Sequence, residues 1–378
     1  MKHLHCAIIR ALASILLLAS FSVIAQQGST IKLGQSLPLT GPLTELGSEY
    51  RDGATAYFKW VNSKGGVNGR KIELLTLDDA YVVDKTVANA RKLLDEDNVF
   101  AFFGMFGSAN YAALLPLINE RSVPSIAPYT GADSLRTANS PTTFWLRASY
   151  GDEVEKLVQH LTTLGVPRIS VLWMNNGFGK DGLAGARKSM EKRGLKLHSD
   201  APIQADSSDV QQAVQSLSAG EPDAIIMITA GAPTVTFIKA YRKVSRAARF
   251  YTTSVMGSQS TIQALGPDGV GVVVTSVVPF PWSQSLPVAR EYRDVLKKAG
   301  MQESVSFIGL ETFINARVLV EGLRRAGKDL TRPRFIQAME SLQHLDVGGF
   351  EVDFGKGVRQ GSRFVDLTII GTGGKFTR

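Results

Sequence analysis

Short runs of apolar, β-branched or aromatic residues alternate along this chain with longer stretches of helical period: Ile31 to Leu37, Ile72 to Leu77, Val99 to Phe103, Ile169 to Trp173, Ala224 to Ile228 and Val272 to Val278. This alternation is the strongest constraint on the fold. A continuously apolar strand must be covered on both faces, and a helical crossover covers it, so the pattern reads as βαβ units around parallel sheets. Between the runs, Val154, Leu157, Val158, Leu161 and Leu164 share one helical face, as do Val210, Ala213, Val214 and Leu217, and both stripes are expected in the core. At 378 residues, 44% hydrophobic and 20% charged, the chain has material for two α/β cores rather than one. The boundary is expected near Arg147 to Gly151, where one series ends and the next begins. Val277 to Ser283 reads as a strand running into Pro279 and Pro281, which suits a stiff crossover. Helices starting at Pro287 and Phe307 would then rejoin the first lobe.

The first 25 residues read as an export signal: a basic start with Lys2 and Arg10, an apolar run from Ala11 to Ile24, and Val23-Ile24-Ala25, which offers small residues at a cleavage point. The competing reading, a membrane anchor, is disfavoured because the run is shorter than the ~20 residues that span a bilayer. Cleavage before Gln26 would leave a periplasmic chain. Cys6 precedes the apolar run, so no lipid-modified cysteine would begin the mature protein, and no thiol would remain for disulfides, metal binding or nucleophilic catalysis. Removing Lys2 and Arg10 lowers the formal charge from +8 to +6, without the dense Lys/Arg runs or basic-aromatic stripe of a nucleic-acid surface.

Most motifs have a structural explanation. Gly177-Phe178-Gly179-Lys180-Asp181-Gly182 matches a dinucleotide-binding pattern, with Asp200 near the expected distance, but Asn175-Asn176 lengthen the loop and the motif lies in mid-chain. Glycines permitting a tight strand-to-helix turn account for it. His160, His198 and His344 are too far apart for a His-x-x-x-His or His-Glu metal pattern. Ser189-Met190-Glu191-Lys192 lacks the companion motifs of a serine hydrolase. Asp78 and Asp79 end a strand and point to opposite faces, which suits turn and capping roles. Gly65 to Gly69 suits a stop and turn. Gly104-Met105-Phe106-Gly107-Ser108-Ala109 differs in kind, since it joins an apolar strand to a helix where free N–H groups and a partial positive charge attract a carboxylate. Ser108 would add a hydroxyl there or serve only as a helix cap.

Taken in order, Leu37 to Pro42, Gly65 to Gly69, Asp78-Asp79, Pro128 to Ala132, Gly177-Phe178-Gly179, Pro222-Asp223 and Gly348 to Phe354 resemble the periplasmic leucine/isoleucine/valine-binding proteins of ABC transporters. The resemblance spans nearly the whole chain from Gln26. It implies a type I periplasmic-binding-protein fold: two doubly wound α/β lobes with parallel sheets, three crossover strands and a ligand cleft between the lobes. Lobe 1 would comprise residues 26–147 plus about 280–355, and lobe 2 residues 148–279 plus about 356–378. The family's carboxylate site falls on Ser108 and on Tyr129, Thr130 and Gly131, and its second-lobe covering tyrosine on Phe178. Three positions depart from the pattern: an aromatic lid is Leu46, a second-lobe tyrosine is Ala230, and the ammonium-binding glutamate is Ser254. Burying an ammonium without an anion costs several kcal/mol, about as much as a broken buried ion pair, so these departures point to a ligand other than plain leucine unless Glu45 substitutes. Ala230 is expected to enlarge the pocket, favouring an aromatic or branched carboxylate, and Trp282 is a further, weaker contact candidate.

The implied function is capture of a small carboxylate for an ABC permease and its ATPase, by hinge closure of a monomer, with no cofactor, metal, nucleic acid or chemistry. Two other readings stay open at this point. A sensor sharing the fold would need a signalling partner, and an exported enzyme would need an acid, base or nucleophile in the cleft.

Overall fold

The computed structural model describes residues 28–136, 140–355 and 357–377. The expected export signal, with Cys6, lies outside the described residues. The first sheet is built from β1 (Gly28–Leu37), β2 (Arg70–Asp78), β3 (Ala101–Phe103), β4 (Ser125–Ile126) and β5 (Thr143–Phe144), in spatial order β2-β1-β3-β4-β5. Every neighbouring pair is parallel, with β1 and β2 registered from Ile31 opposite Ile72 to Leu37 opposite Asp78. Helices α1 (Thr44–Ser63), α2 (Val83–Asp95) and α3 (Ser108–Glu120) make the crossovers.

The chain then enters a second series: α4 (Tyr150–Thr163), β6 (Ile169–Met174), α5 (Gly177–Glu191), β7 (Asp200–Ile203), α6 (Val210–Ser218), β8 (Ala224–Ile228), α7 (Ala232–Val244), β9 (Arg249–Thr252), α8 (Gln259–Leu265) and β10 (Val273–Ser276). After Ser276 it runs without regular structure to α9 (Pro287–Lys298), α10 (Phe307–Ala326), α11 (Arg332–Glu340) and the small hairpin of β11 (Leu345–Asp346) and β12 (Glu351–Val352). It ends in β13 (Asp366–Ile370) and β14 (Phe376–Thr377). The second sheet has the order β14-β13-β10-β9-β8-β6-β7; β13 and β14 are antiparallel and the rest parallel. This is the type I periplasmic-binding-protein fold.

Two sequence features explain how the sheets acquire their form. The six apolar runs became β1, β2, β3, β6, β8 and β10 within a few residues, because each is long enough to fill both faces of a strand. The two-residue strands β4 and β5 are too short to carry any period, and β7 contains Pro202, which is tolerated there because β7 is an edge strand. In α10, apolar residues run almost all the way round, and the helix is buried accordingly. It lies so close to α1 that a Cβ on Gly53 would stand 2.3 Å from the Gly309 carbonyl oxygen.

Both sheets reverse their strand order at one point, between β1 and β3 in the first and between β6 and β8 in the second. At such switch points the loops after the strands diverge and leave a crevice at the carboxyl ends. The crevice therefore involves the segments after Leu37, Phe103, Met174 and Ile228. Those four segments lead to Leu46, Ser108, Phe178 and Ala230, four of the eight site residues singled out in the sequence.

Candidate functional site

Ser108 is the first residue of α3, preceded by Gly107 at φ +94°, a left-handed backbone that glycine adopts without strain. The helix receives no side-chain cap. The Ser108 hydroxyl instead hydrogen-bonds the Thr130 hydroxyl at 2.7 Å, and Thr130 Oγ1 accepts the Ala132 N–H at 3.1 Å. Phe106 and Tyr129 form an isolated parallel bridge, which brings the strand ends together so that the Gly107 N–H donates to the Tyr129 carbonyl at 3.2 Å.

Their rings stack at 4.8 Å and 27°, and Tyr50 meets the Tyr129 ring edge-on at 4.7 Å. Against the Tyr129 ring lies the Arg147 guanidinium, 4.6 Å from the centroid. From the second sheet comes Phe178, in the first turn of α5, whose ring is 4.8 Å from that of Tyr150.

These groups line a narrow inner pocket with a free volume of about 20 Å³, room for about one water molecule. Leu46, Ser108, Tyr129, Phe178 and Ala230 all line it, together with Leu43, Tyr81, Phe106, Gly107, Tyr150 and Val255. Thr130 stands behind Ser108. Gly131 is shielded by Tyr150, whose ring carbon Cδ1 would be 2.6 Å from a Cβ placed there. The Tyr150 N–H also donates to the Gly131 carbonyl at 2.7 Å. Burial pushes the Tyr150 phenol above its ordinary pKa, while the Arg147 charge, the Gly131 N–H and the Ser108 hydroxyl pull it back. Its oxygen thus sits among the groups the sequence assigns to a ligand carboxylate. Sequence reasoning missed Tyr150, since one aromatic at a lobe boundary carries no pattern.

Ser254 does not line the inner pocket. Its N–H and hydroxyl donate to Glu153 at 2.7 and 3.0 Å, and its oxygen accepts a hydrogen bond from Arg147. Thr275 donates a further hydrogen bond to Glu153. Arg147 stands 3.4 Å from Glu153 and 3.7 Å from Glu311 of α10, so one buried cation ties three parts of the chain together. Burial pushes the Glu311 carboxyl up to about 7 against the pull of Arg147, with Glu153 adding to the rise. Burial lowers the Arg147 pKa, but Glu311, Tyr129 and Glu153 outweigh it and keep the guanidinium charged.

Several sequence expectations change on this geometry. Ala230 does not open a large chamber, because the inner pocket it lines with Leu43, Leu46 and Val255 is small. Glu45 is exposed and lines a separate outer groove with Pro42, Leu46 and Val235, so it does not replace the missing acid inside. Trp282 packs against Phe280, Phe307 and Phe376 rather than in the pocket, since the proline-rich segment carries it into an aromatic cluster. His344, read as a residue without metal-site spacing, has Glu351 at 2.8 Å and Asp353 at 3.6 Å. The hairpin turn brings them together, and the group is largely exposed.

The glycine motif packs helix against strand: a Cβ on Gly179 would stand 1.9 Å from the Met174 carbonyl oxygen, and one on Gly182 2.6 Å from Ile228. Asp200 accepts from Trp173 and Arg187, both at 2.9 Å. Asp78 accepts the N–H groups of Leu39, Thr40 and Ala80, and Asp79 the hydroxyls of Ser36 and Thr86, as turn roles require. Among the described residues, no carboxylate lines the inner pocket and no helix is long and apolar enough to cross a membrane.

The family described as "Periplasmic binding protein" matches residues 30–374. A substrate-binding periplasmic protein from Ralstonia solanacearum is 33% identical, with a TM-score of 0.85 over 90% of this chain and 98% of that one. The Leu/Ile/Val-binding protein homolog 7 of Brucella abortus (strain 2308) is 22% identical over 318 residues, 80% of this chain and 78% of the relative. A branched-chain amino acid ABC transporter protein from Thermus thermophilus, solved with bound valine, shares the fold at 20% identity and a TM-score of 0.82, over 93% of this chain and 95% of that one. With the two-sheet topology, the crevice at both switch points and a family match over almost its full length, this chain belongs to the periplasmic binding proteins.

Proposed function

We propose that the chain captures a small carboxylate lacking an α-ammonium group, with an aromatic or branched apolar body, and delivers it to an ABC permease and its ATPase as a periplasmic monomer. The observation that carries this reading is the chemistry of the inner pocket. Its anion-favouring end has the N-terminus of α3, the Ser108 and Thr130 hydroxyl pair and the Tyr150 phenol, while the rest is aromatic and aliphatic. A buried ammonium there would find no carboxylate, and the Ser254 position is already committed to Glu153 and Arg147. Leu46, Phe178 and Ala230 would contact the apolar body; Ser108, Tyr129, Thr130 and Gly131 would form or support the head-group end. Ser254 would act from behind the pocket rather than on the ligand.

The valine bound by the Thermus thermophilus protein supplies the alternative, a branched-chain amino acid. A thermal-shift screen of the chain from Gln26 separates the two. At ~100 times its dissociation constant a ligand stabilises the fold by about 2.7 kcal/mol. Stabilisation by aliphatic or aromatic carboxylates, with none by leucine or valine, is the expected result. A shift with leucine or valine alone would overturn the ligand class and leave the capture role standing.

A further inference from the structure

Helix α5 crosses the cleft in two ways. Phe178, in its first turn, covers the inner pocket. Asp181, one turn on, reaches the first lobe, where its two carboxylate oxygens accept the backbone N–H groups of Asp133 at 2.9 Å and Ser134 at 3.1 Å. Those amides begin the short 3-10 helix Asp133–Leu135, which receives no side-chain cap from its own N-cap residue, Ala132. Asp133 returns the contact: its carboxylate accepts the Gly151 N–H at 2.9 Å, in the first turn of α4. Each lobe thus supplies an acid to a helix start belonging to the other. Neither acid lines the inner pocket.

We propose that Asp181 is a closure clasp, a positioning residue that favours the closed arrangement of the lobes and so slows release of whatever is captured, without selecting among ligands. The reason is differential satisfaction. When the lobes part, the Asp133 and Ser134 amides and the Asp181 carboxylate return to water. When they meet, two charge-assisted hydrogen bonds form to amides that have no side-chain cap of their own. Placing the clasp three residues after Phe178 on the same helix couples it to the pocket cover. The inference rests on the two-lobe arrangement and not on the identity of the ligand.

The test therefore needs no ligand. The chain from Gln26 contains no cysteine, so Lys59→Cys on α1 and Lys239→Cys on α7, both exposed, accept a pair of nitroxide labels without background. Pulsed electron resonance then reads the distribution of separations between the lobes. Asp181→Ala should lower the ratio of closed to open molecules about fivefold, the scale of a lost helix cap. Asp181→Asn, whose amide can accept only one of the two N–H groups and turns its NH2 toward the other, should recover only a minor part of it. An alanine variant whose distribution superimposes on the parent would overturn the proposal. So would a parent with no short-separation population.

Discussion

Arg147→Met places the central buried ion cluster under direct test. The substitution keeps an unbranched apolar stem against the Tyr129 ring but removes the cation that faces Glu153 at 3.4 Å and Glu311 at 3.7 Å. Breaking a buried pair by deleting one partner costs roughly 3–5 kcal/mol. Here the loss should fall near the lower end, about 3 kcal/mol at pH 7, for two reasons. Glu153 retains the Ser254 N–H and the Ser254 and Thr275 hydroxyls as donors. Glu311, whose pKa burial already pushes to about 7, escapes by taking a proton.

That escape makes the loss depend on pH. In the parent protein Glu311 is raised from 4.5 to about 7, so the folded state holds a proton that the unfolded state has lost, and stability falls as pH rises through that window, then levels off. Without Arg147 the folded pKa moves higher still, and the decline continues past pH 7 at about 1.4 kcal/mol per pH unit. The gap between variant and parent should accordingly widen by about 1 kcal/mol between pH 6 and pH 8. Urea unfolding followed by tryptophan fluorescence measures it, with Trp145 buried two residues from the substitution. A loss under about 1 kcal/mol at both pH values, or a gap that narrows as pH rises, would refute the account of the cluster.

Ser108→Ala should weaken binding of the carboxylate that gives the largest thermal shift by about 1 kcal/mol or more, read by calorimetry. Tyr150→Phe keeps the ring against Phe178 and Gly131 but deletes the phenol, and should weaken the same binding by about 1 kcal/mol with little change in melting temperature; tighter binding would mean the phenol competes with the ligand. Glu49 is also raised to about 7, by burial above all, and accepts the Gln259 N–H at 3.0 Å. Because its folded pKa lies above the unfolded one, it too lowers stability as pH rises from about 4.5 to 7. Glu49→Gln should flatten the dependence of melting temperature on pH across that range.

The parts of the molecule legible in the sequence are those where one physical requirement repeats along the chain. Strands such as Ala224–Ile228 must be apolar on both faces, and a helix such as Val154 to Leu161 must present one face to the sheet, so spacing alone locates them. The switch-point loops could be placed because they follow those strands. What stayed hidden depends on meetings across long separations. Tyr150 matters because it folds over Gly131, Arg147 because Glu153, Ser254 and Glu311 converge on it, and Asp181 because the amides of Asp133 and Ser134 arrive from the other lobe. No local pattern encodes such pairings.

The same distinction explains why Ser254 was misjudged in sequence. Aligned against the family it reads as a missing acid in the ligand site, a vacancy to be filled by a neighbour such as Glu45. In three dimensions an acid does stand beside it, but this is Glu153, one helix away, and it is neutralised by Arg147 and held by three donors. An ammonium could use that carboxylate only by displacing Arg147, whose own burial would then be unpaired. The Ser254 side chain is therefore committed to a buried ion cluster behind the pocket. A change that places an acid at position 254 should therefore set it against Glu153 and disturb that cluster before it creates an amino-acid site.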